Sequence, residues 1–182
     1  TSLGLGTCWI GGTFDKGAFA QIMQPAEDEI FTIISPVGYG TGKKRIFEKV
    51  MRANIKADTR LAWDKLFFKN DFKNPIFEGS TDSSFAPYAK ALEFVRLAPS
   101  AVNKQPWRIV NEGTAFHFFE CHSLPASSQE NFDIQRVDMG IALCHFEMAL
   151  QEQGIKGHFE KMNINFEVAS GTDYITSWVN AD

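Results

Sequence analysis

A ten-residue stretch, Ala98–Trp107, has the chain's densest group of side chains that could bind a ligand. Its sequence, APSAVNKQPW, places one hydroxyl and two carboxamides between two prolines, at Pro99, Ser100, Asn103, Gln105 and Pro106. Hydroxyls and carboxamides donate and accept hydrogen bonds, and each proline fixes one backbone torsion. The stretch is therefore suited to hold polar groups against a flat polar ring. The alternative is a helix end followed by a proline turn into a strand.

A second stretch, Gly4–Phe14, has the sequence GLGTCWIGGTF. Glycine has no side chain, so its backbone can approach a bound ligand closely. The alternative interpretation is a glycine-rich turn beside a core tryptophan and cysteine, Trp9 and Cys8.

Several other motifs fail on spacing. The segment Gly38–Lys44, GYGTGKK, lacks both the first glycine and the final Ser or Thr of a phosphate-binding loop. A dinucleotide fingerprint beginning at Gly4 would need a glycine where Trp9 stands. The pairs Cys121-His122 and Cys144-His145 lack zinc-ligand spacing, so no metal site is predicted. We find no nucleophile–base pattern either, and we interpret Asp138 as the N-cap of a helix rather than as a general base.

The composition is that of an ordinary globular protein, with 44% hydrophobic and 22% charged residues. Its 17 phenylalanines favour an aromatic core, with an aromatic wall around a planar ligand as the alternative. A net charge of −4 gives no support for nucleic-acid binding. No apolar run approaches the roughly 20 residues of a membrane span. The three cysteines are widely spaced and predict no disulfides, which favours a cytoplasmic protein.

Hydrophobic periodicity predicts alternating helices and strands, which is typical of α/β or α+β proteins. The predicted helices are Asp15–Ile22, Lys44–Ala53 (with Ile46, Phe47 and Val50 inward), Phe85–Leu97 and Asp138–Gln153. The predicted strands are Glu29–Val37, buried, then a hairpin of Trp107–Asn111 and Thr114–Cys121, and finally Tyr174–Val179. The polar segment 69–84 is the predicted linker.

The two stretches together resemble elements of the flavin-dependent nitroreductase superfamily. Ala98–Trp107 is similar to its Pro-Ser-Ser-x-Asn-x-Gln-Pro-Trp loop, and Gly4–Phe14 to its Gly-Leu-Gly-Thr-Cys-Trp-Ile-Gly-Gly segment. The segment precedes the loop here, which resembles a branch whose two half-domains in one chain imitate the usual dimer. The segment Asp138–Ala149 resembles that branch's second core helix.

The resemblance implies an α+β sandwich with a mainly antiparallel sheet. The whole of 1–182 would be one nitroreductase-like domain with pseudo-dimeric halves at about 1–68 and 85–182. Because the superfamily's Arg-x-Ser-x-Arg arm is not found, we expect this domain to be the C-terminal portion of a longer protein. A fused pseudo-dimer completes its own site, which favours a monomer.

The resemblance also implies a flavin mononucleotide (FMN) site. The ring contacts it implies are Pro99, Ser100, Asn103 and Gln105, with the main chain of Trp9, Ile10, Gly11 and Gly12 near the reactive nitrogen. Among the basic residues Lys43, Lys44, Arg45 and Arg60, the best placed for the flavin phosphate is Arg60.

The implied activity is an FMN-dependent NAD(P)H oxidoreductase that reduces a nitroaromatic or quinone-like small molecule. The protein would supply orientation and electrostatics, so no catalytic side chain is predicted. Two alternatives are a flavin-binding module without turnover and a structural remnant that has lost the ligand.

Overall fold

The computed structural model describes residues 3–11, 14–27, 29, 32–40, 46–80, 82, 84–124 and 133–181. The chain forms two compact units. The smaller consists of 1–55 and 126–134, and the larger of 56–125 and 135–182. The segment 69–84, predicted as a linker, belongs to the larger unit, where Ile76 is buried in the core. The predicted halves, 1–68 and 85–182, remain a prediction.

The larger unit is built on a five-stranded sheet. Its strands are β3 (Phe67–Lys69), β4 (Trp107–Glu112), β5 (Ala115–Cys121), β6 (Gly157–Glu160) and β7 (Thr172–Asn180), in the order β3-β4-β5-β7-β6. Only the pair β3–β4 is parallel among these neighbours, and the other pairs are antiparallel. The predicted mainly antiparallel sheet of an α+β protein is thus confirmed, as are the hairpin at Glu112-Gly113 and the final strand.

Three helices accompany this sheet: α3 (Trp63–Leu66), α4 (Ala89–Leu97) and α5 (Ile134–Glu152). Ile134 belongs to the smaller unit and the rest of α5 to the larger. A 3-10 turn, Ala86–Tyr88, precedes α4, so the predicted helix from Phe85 starts as a tighter turn. Within the described residues, no helix has the length and hydropathy needed to cross a bilayer.

Aromatic side chains fill both faces of the sheet. On one face, Phe146 from α5 packs against Phe116, Phe118 and Trp178, with ring centroids 5.2 to 5.7 Å apart. On the other, Phe119 contacts Phe72, Phe166 and Tyr174. The phenylalanines therefore form a core, as the composition favoured, and β5 is buried on both faces.

The smaller unit contains short elements. The strands β1 (Gly6–Thr7) and β2 (Val37–Gly38) pair antiparallel, and the helices are α1 (Lys16–Met23) and α2 (Ile46–Asn54). Asp15, where the predicted helix Asp15–Ile22 begins, is the N-cap of α1, because its Oδ1 accepts a hydrogen bond from the Ala18 amide at 3.1 Å.

Two predictions for this unit are wrong. The described part of the predicted strand Glu29–Val37, residues 29 and 32–37, is not a buried strand: Ile34 forms an isolated bridge with Ile10, and Val37 is 67% exposed. In α2, Val50 is exposed rather than inward. A strand is buried only when other elements cover it, and apolar composition alone does not ensure that. The side chains of Ile46 and Phe47 lie outside the described residues, as does 41–45.

Candidate functional site

The loop between α4 and β4 has an unusual backbone conformation. Val102, Asn103 and Gln105 have φ values of 50°, 57° and 49°. This left-handed region is uncommon for residues other than glycine and is most unfavourable for a β-branched side chain such as Val102. Each such residue costs on the order of 1–3 kcal/mol and persists only when neighbouring groups fix it. The loop must therefore be held by specific contacts.

The first set of contacts lies inside the loop. Ser100 Oγ accepts a hydrogen bond from the Gln105 amide at 2.8 Å, and the Asn103 amide donates to the Ser100 carbonyl at 3.0 Å. Gln105 is 3% exposed. Its Nε2 donates to the Asn103 carbonyl at 3.2 Å, and its Oε1 accepts from the Leu61 amide at 2.8 Å. The turn is thus closed on itself and joined to the chain ahead of α3.

Arg60 supplies the second set. Its Nε and Nη2 donate to the Leu97 carbonyl at 3.2 and 3.1 Å, and its Nη1 contacts Asn103 Oδ1 at 3.2 Å. Nη1 also donates to the carbonyls of Ala57 and Thr59 at 3.0 and 2.8 Å. Leu97 is the last residue of α4, where carbonyls lack helical partners and a cation is favourable. The guanidinium therefore caps α4 and holds the loop.

Asp138 supplies a third contact, which the sequence prediction missed. The helix α5 begins four residues earlier than predicted, so Asp138 is not its N-cap, and that prediction is wrong. Its side chain is nearly buried, and Oδ1 accepts a hydrogen bond from the Ala101 amide at 2.9 Å. The sequence did contain one indication of this role. Asp138 lies four residues before Ala142 and eight before Phe146, and this helical spacing places its carboxylate on the buried face of α5.

The structure thus brings four predicted site residues into one hydrogen-bonded cluster: Arg60, Ser100, Asn103 and Gln105. Asn103 is bound further, because its Nδ2 donates to the carbonyls of Lys56 and Thr59 at 2.6 and 3.1 Å. Pro99 is exposed beside the cluster, and Val102 at the turn is 49% exposed. We call the segment Pro99–Gln105 the clamped loop.

The other predicted contacts lie in the smaller unit. Ile10 exchanges backbone hydrogen bonds with Ile34 at 2.9 and 3.1 Å. A Cβ on Gly11 would lie 3.1 Å from Ile134 Cδ1, a tight contact that the end of the isoleucine side chain would have to relieve by shifting slightly. Trp9 is 57% exposed and Cys8 is also exposed, so the alternative of core packing is wrong for both. Gly12 lies outside the described residues.

A serine, a histidine and a carboxylate also meet in the larger unit. His117 Nδ1 lies 2.6 Å from Ser177 Oγ, and its Nε2 lies 3.3 Å from Glu112 Oε2. The hydroxyl of Tyr174 is 2.7 Å from the same Ser177 Oγ. Ser177 is fully buried, and burial lowers the pKa of His117, with Glu112 opposing the shift. A hydrolytic nucleophile must be accessible to its substrate, and Ser177 is not. We therefore interpret these hydrogen bonds as structural contacts that link β4, β5 and β7.

A network of charged side chains lies at the C-terminal end of β5. The fully buried Glu120 pairs with Arg136 at 2.9 Å and lies 3.4 Å from His122. Asp173 contacts both Arg136 and His122 at 3.0 Å. Each carboxylate therefore faces two nitrogen groups, which compensates for the burial of Glu120.

A cleft of about 430 Å³ lies where the end of α5 meets β6 and β7. Its walls include the apolar side chains of Leu150, Ile155 and Trp178, with Glu147 and Lys156 beside them. The lining contains none of the predicted cofactor residues, so we do not assign the cofactor to it.

The fold and the clamped loop define a class: an α+β protein with a five-stranded mixed sheet and a preformed loop after α4. Residues 1–150 match the family model described as "Putative TM nitroreductase", and the chain belongs to this nitroreductase family. No curated protein matches the chain.

The fold matches the crystal structure of a "putative nitroreductase" from Thermotoga maritima MSB8. The TM-score is 0.51 at 20% identity, and the match covers 98% of this chain but 57% of that one. The chain thus spans little more than half of that protein's length, and the match concerns the fold alone.

Proposed function

We propose that the chain is part of an FMN-dependent NAD(P)H oxidoreductase that reduces a nitroaromatic or quinone-like acceptor. Family membership supports the oxidoreductase class. The observation that carries the cofactor proposal is the clamped loop, in which Val102, Asn103 and Gln105 are fixed in a costly conformation. Such conformations cluster at ligand clamps, because strain is retained where it serves a function.

The residues present fit the ring part of a flavin better than its phosphate. The clamped loop has two exposed apolar side chains, Pro99 and Val102, that could contact a ring. The polar side chains that hold the loop, which we call its frame, already bond to protein atoms. Arg60 carries a charge suited to phosphate, but its three nitrogens already donate to protein oxygens. We therefore assign Arg60 first to the frame, and its contact with phosphate remains a proposal.

A bound flavin would take a hydride from reduced nicotinamide and pass electrons to the second substrate. The chain's own part is positioning. Ser100, Asn103 and Gln105 fix the loop that meets the ring, and any direct bonds from them to the ring remain a proposal. The main-chain contact of Trp9, Ile10, Gly11 and Gly12 with the reactive nitrogen, which the resemblance implies, stays a prediction.

One observation favours the alternative that the chain is a structural remnant without a ligand. The polar side chains of the clamped loop bond to one another without any ligand. Such a remnant could keep these same hydrogen bonds for stability alone. The two proposals differ in whether the protein takes up flavin and whether nicotinamide reduces it.

The test is a titration with FMN, followed by NAD(P)H oxidation with and without a quinone or nitroaromatic. We expect a visible flavin spectrum that survives gel filtration, and oxidation that depends on the acceptor. Asn103→Ala should weaken FMN retention, because Asn103 joins Arg60 to the loop. Lys104→Ala, an exposed neighbour, is the matched control. A protein that stays colourless with excess FMN would overturn the proposal, and bound flavin that nicotinamide does not reduce would leave only a binding module.

A further inference from the structure

A carboxylate on the core side of a helix needs an explanation. Asp138 is 3% exposed in the second turn of α5, between the buried Gln135 and Met139. Moving an ionised carboxylate out of water is costly unless hydrogen bonds compensate. An apolar residue would pack at this position without that cost. The burial of this carboxylate is therefore explained by the groups that it binds.

One of its oxygens binds the clamped loop. Asp138 Oδ1 accepts the amide hydrogen of Ala101 at 2.9 Å, and Ala101 lies 37 residues earlier in the chain. Bonds in which the acceptor is charged are roughly twice as strong as neutral ones. The contact ties the loop to the longest helix of the larger unit, and α5 in turn packs on the aromatic core through Phe146.

The bonded amide stands directly before the strained residues. Ala101 precedes Val102 and Asn103, which have left-handed φ values of 50° and 57°. The other anchors, Arg60 and Ser100, act on Asn103 and Gln105, at the far side of the turn. Without an anchor on Ala101, Val102 would be free to relax toward the negative φ values that valine prefers.

We propose that Asp138 is a positioning residue for the flavin loop. By holding the amide of Ala101, it keeps the turn at Val102 in the one conformation that meets the ring. The inference rests on the proposed function, since it assigns a role within the same site. Asp138 acts through the loop and exchanges no proton with substrate.

Three variants of the full chain test this role. Asp138→Ala removes the acceptor, and Asp138→Asn keeps an amide oxygen that can still accept from Ala101. Leu150→Ala is the control, because Leu150 is buried on the same helix three turns away and belongs to the core. The control destabilises α5 without touching the loop.

Two readouts separate positioning from general stability. The first is hydrogen exchange at the Ala101 amide in the protein without flavin. The second is the FMN dissociation constant, measured with the visible circular dichroism of the bound flavin. Loss of a hydrogen bond to a charged group should change the loop equilibrium by a factor on the order of 10 to 100, and FMN affinity should fall by up to the same factor.

We expect Asp138→Ala to speed exchange at Ala101 and to weaken FMN binding by up to that factor. Asp138→Asn should largely restore both, and Leu150→Ala should change neither despite a lower melting temperature. Equal FMN affinity and equal Ala101 exchange in the wild type and in Asp138→Ala would overturn the inference. A wild type that binds no FMN while Asp138→Ala still speeds exchange would overturn the proposed function, and with it a role for Asp138 toward flavin.

Discussion

Replacing Arg60 with alanine separates two roles for this residue. If Arg60 belongs to the frame of the clamped loop, the flavin-free protein should lose stability. If Arg60 instead binds the flavin phosphate, the flavin-free protein should be unaffected and only FMN affinity should fall. The two assignments therefore predict different results for the free energy of unfolding of the flavin-free protein: a decrease in one case and no change in the other.

The magnitude follows from the contacts. The guanidinium holds the last carbonyl of α4 through Nε and Nη2, and holds Asn103 through Nη1. A hydrogen bond that involves a charged group contributes roughly 1.5–3 kcal/mol, and Arg60 is half-buried, so solvent screening reduces the total. We expect Arg60→Ala to lower the free energy of unfolding by about 2–3 kcal/mol. With a urea slope of about 1–3 kcal/mol/M, the midpoint should fall by about 0.7–3 M.

The assay is urea unfolding of the flavin-free protein, monitored by far-ultraviolet circular dichroism. Arg60→Lys should recover only part of the loss, because an ammonium group cannot reproduce the planar fork. Lys104→Ala removes one exposed positive charge within the loop and should stay within about 0.5 kcal/mol of the wild type. An Arg60→Ala protein as stable as the wild type, with clearly weaker FMN binding, would refute the frame assignment.

Three further predictions concern backbone space and pH. Val102→Gly should leave the unfolding free energy unchanged or raise it by up to about 1 kcal/mol, because glycine accepts the left-handed conformation; a large loss in urea unfolding would contradict this. Gly157→Ala should cost about 1–3 kcal/mol, since the new Cβ would lie 2.2 Å from Trp178 Cζ2. The control is Gly140→Ala, whose new Cβ would point into open space on a helix and should stabilise the protein by about 0.5–1 kcal/mol. Equal melting temperatures for the two variants would contradict this prediction. Burial lowers the pKa of His117 below 6.5, so its contribution to stability is present above that pH and is lost as the pH falls further. His117→Gln should flatten that part of the pH profile, and an unchanged profile would show that another group controls it.

The larger unit was the more predictable part of the fold. The hairpin of β4 and β5 is encoded locally, by two apolar runs around Glu112-Gly113, and Gly113 has the positive φ that this turn requires. The helix α5 has a long apolar stripe, so its existence was clear although its start was not. In the described part of the predicted strand Glu29–Val37, the backbone pairs only at Ile34, in an isolated bridge with Ile10, and at Val37, with the two-residue strand β1, so no continuous buried strand forms there.

The candidate site was predictable in composition but not in geometry. The residues of the clamped loop were identified by their resemblance to a known motif. Their conformation could not be foreseen, because left-handed backbone is not expected at Val102 or Gln105. What fixes it lies far away in sequence, at Arg60 and Asp138. Local patterns cannot report such distant contacts, and the same holds for the link between His117 and Ser177.

The most direct test of the central claim is hydrogen exchange, measured by mass spectrometry on the full chain with and without saturating FMN. The account predicts that bound FMN slows exchange in peptides covering Pro99–Gln105, while the cleft at Leu150 and Gly157 remains unchanged. Flavin that binds without protecting the clamped loop, or that protects the cleft instead, would contradict the assignment of this loop as the flavin site.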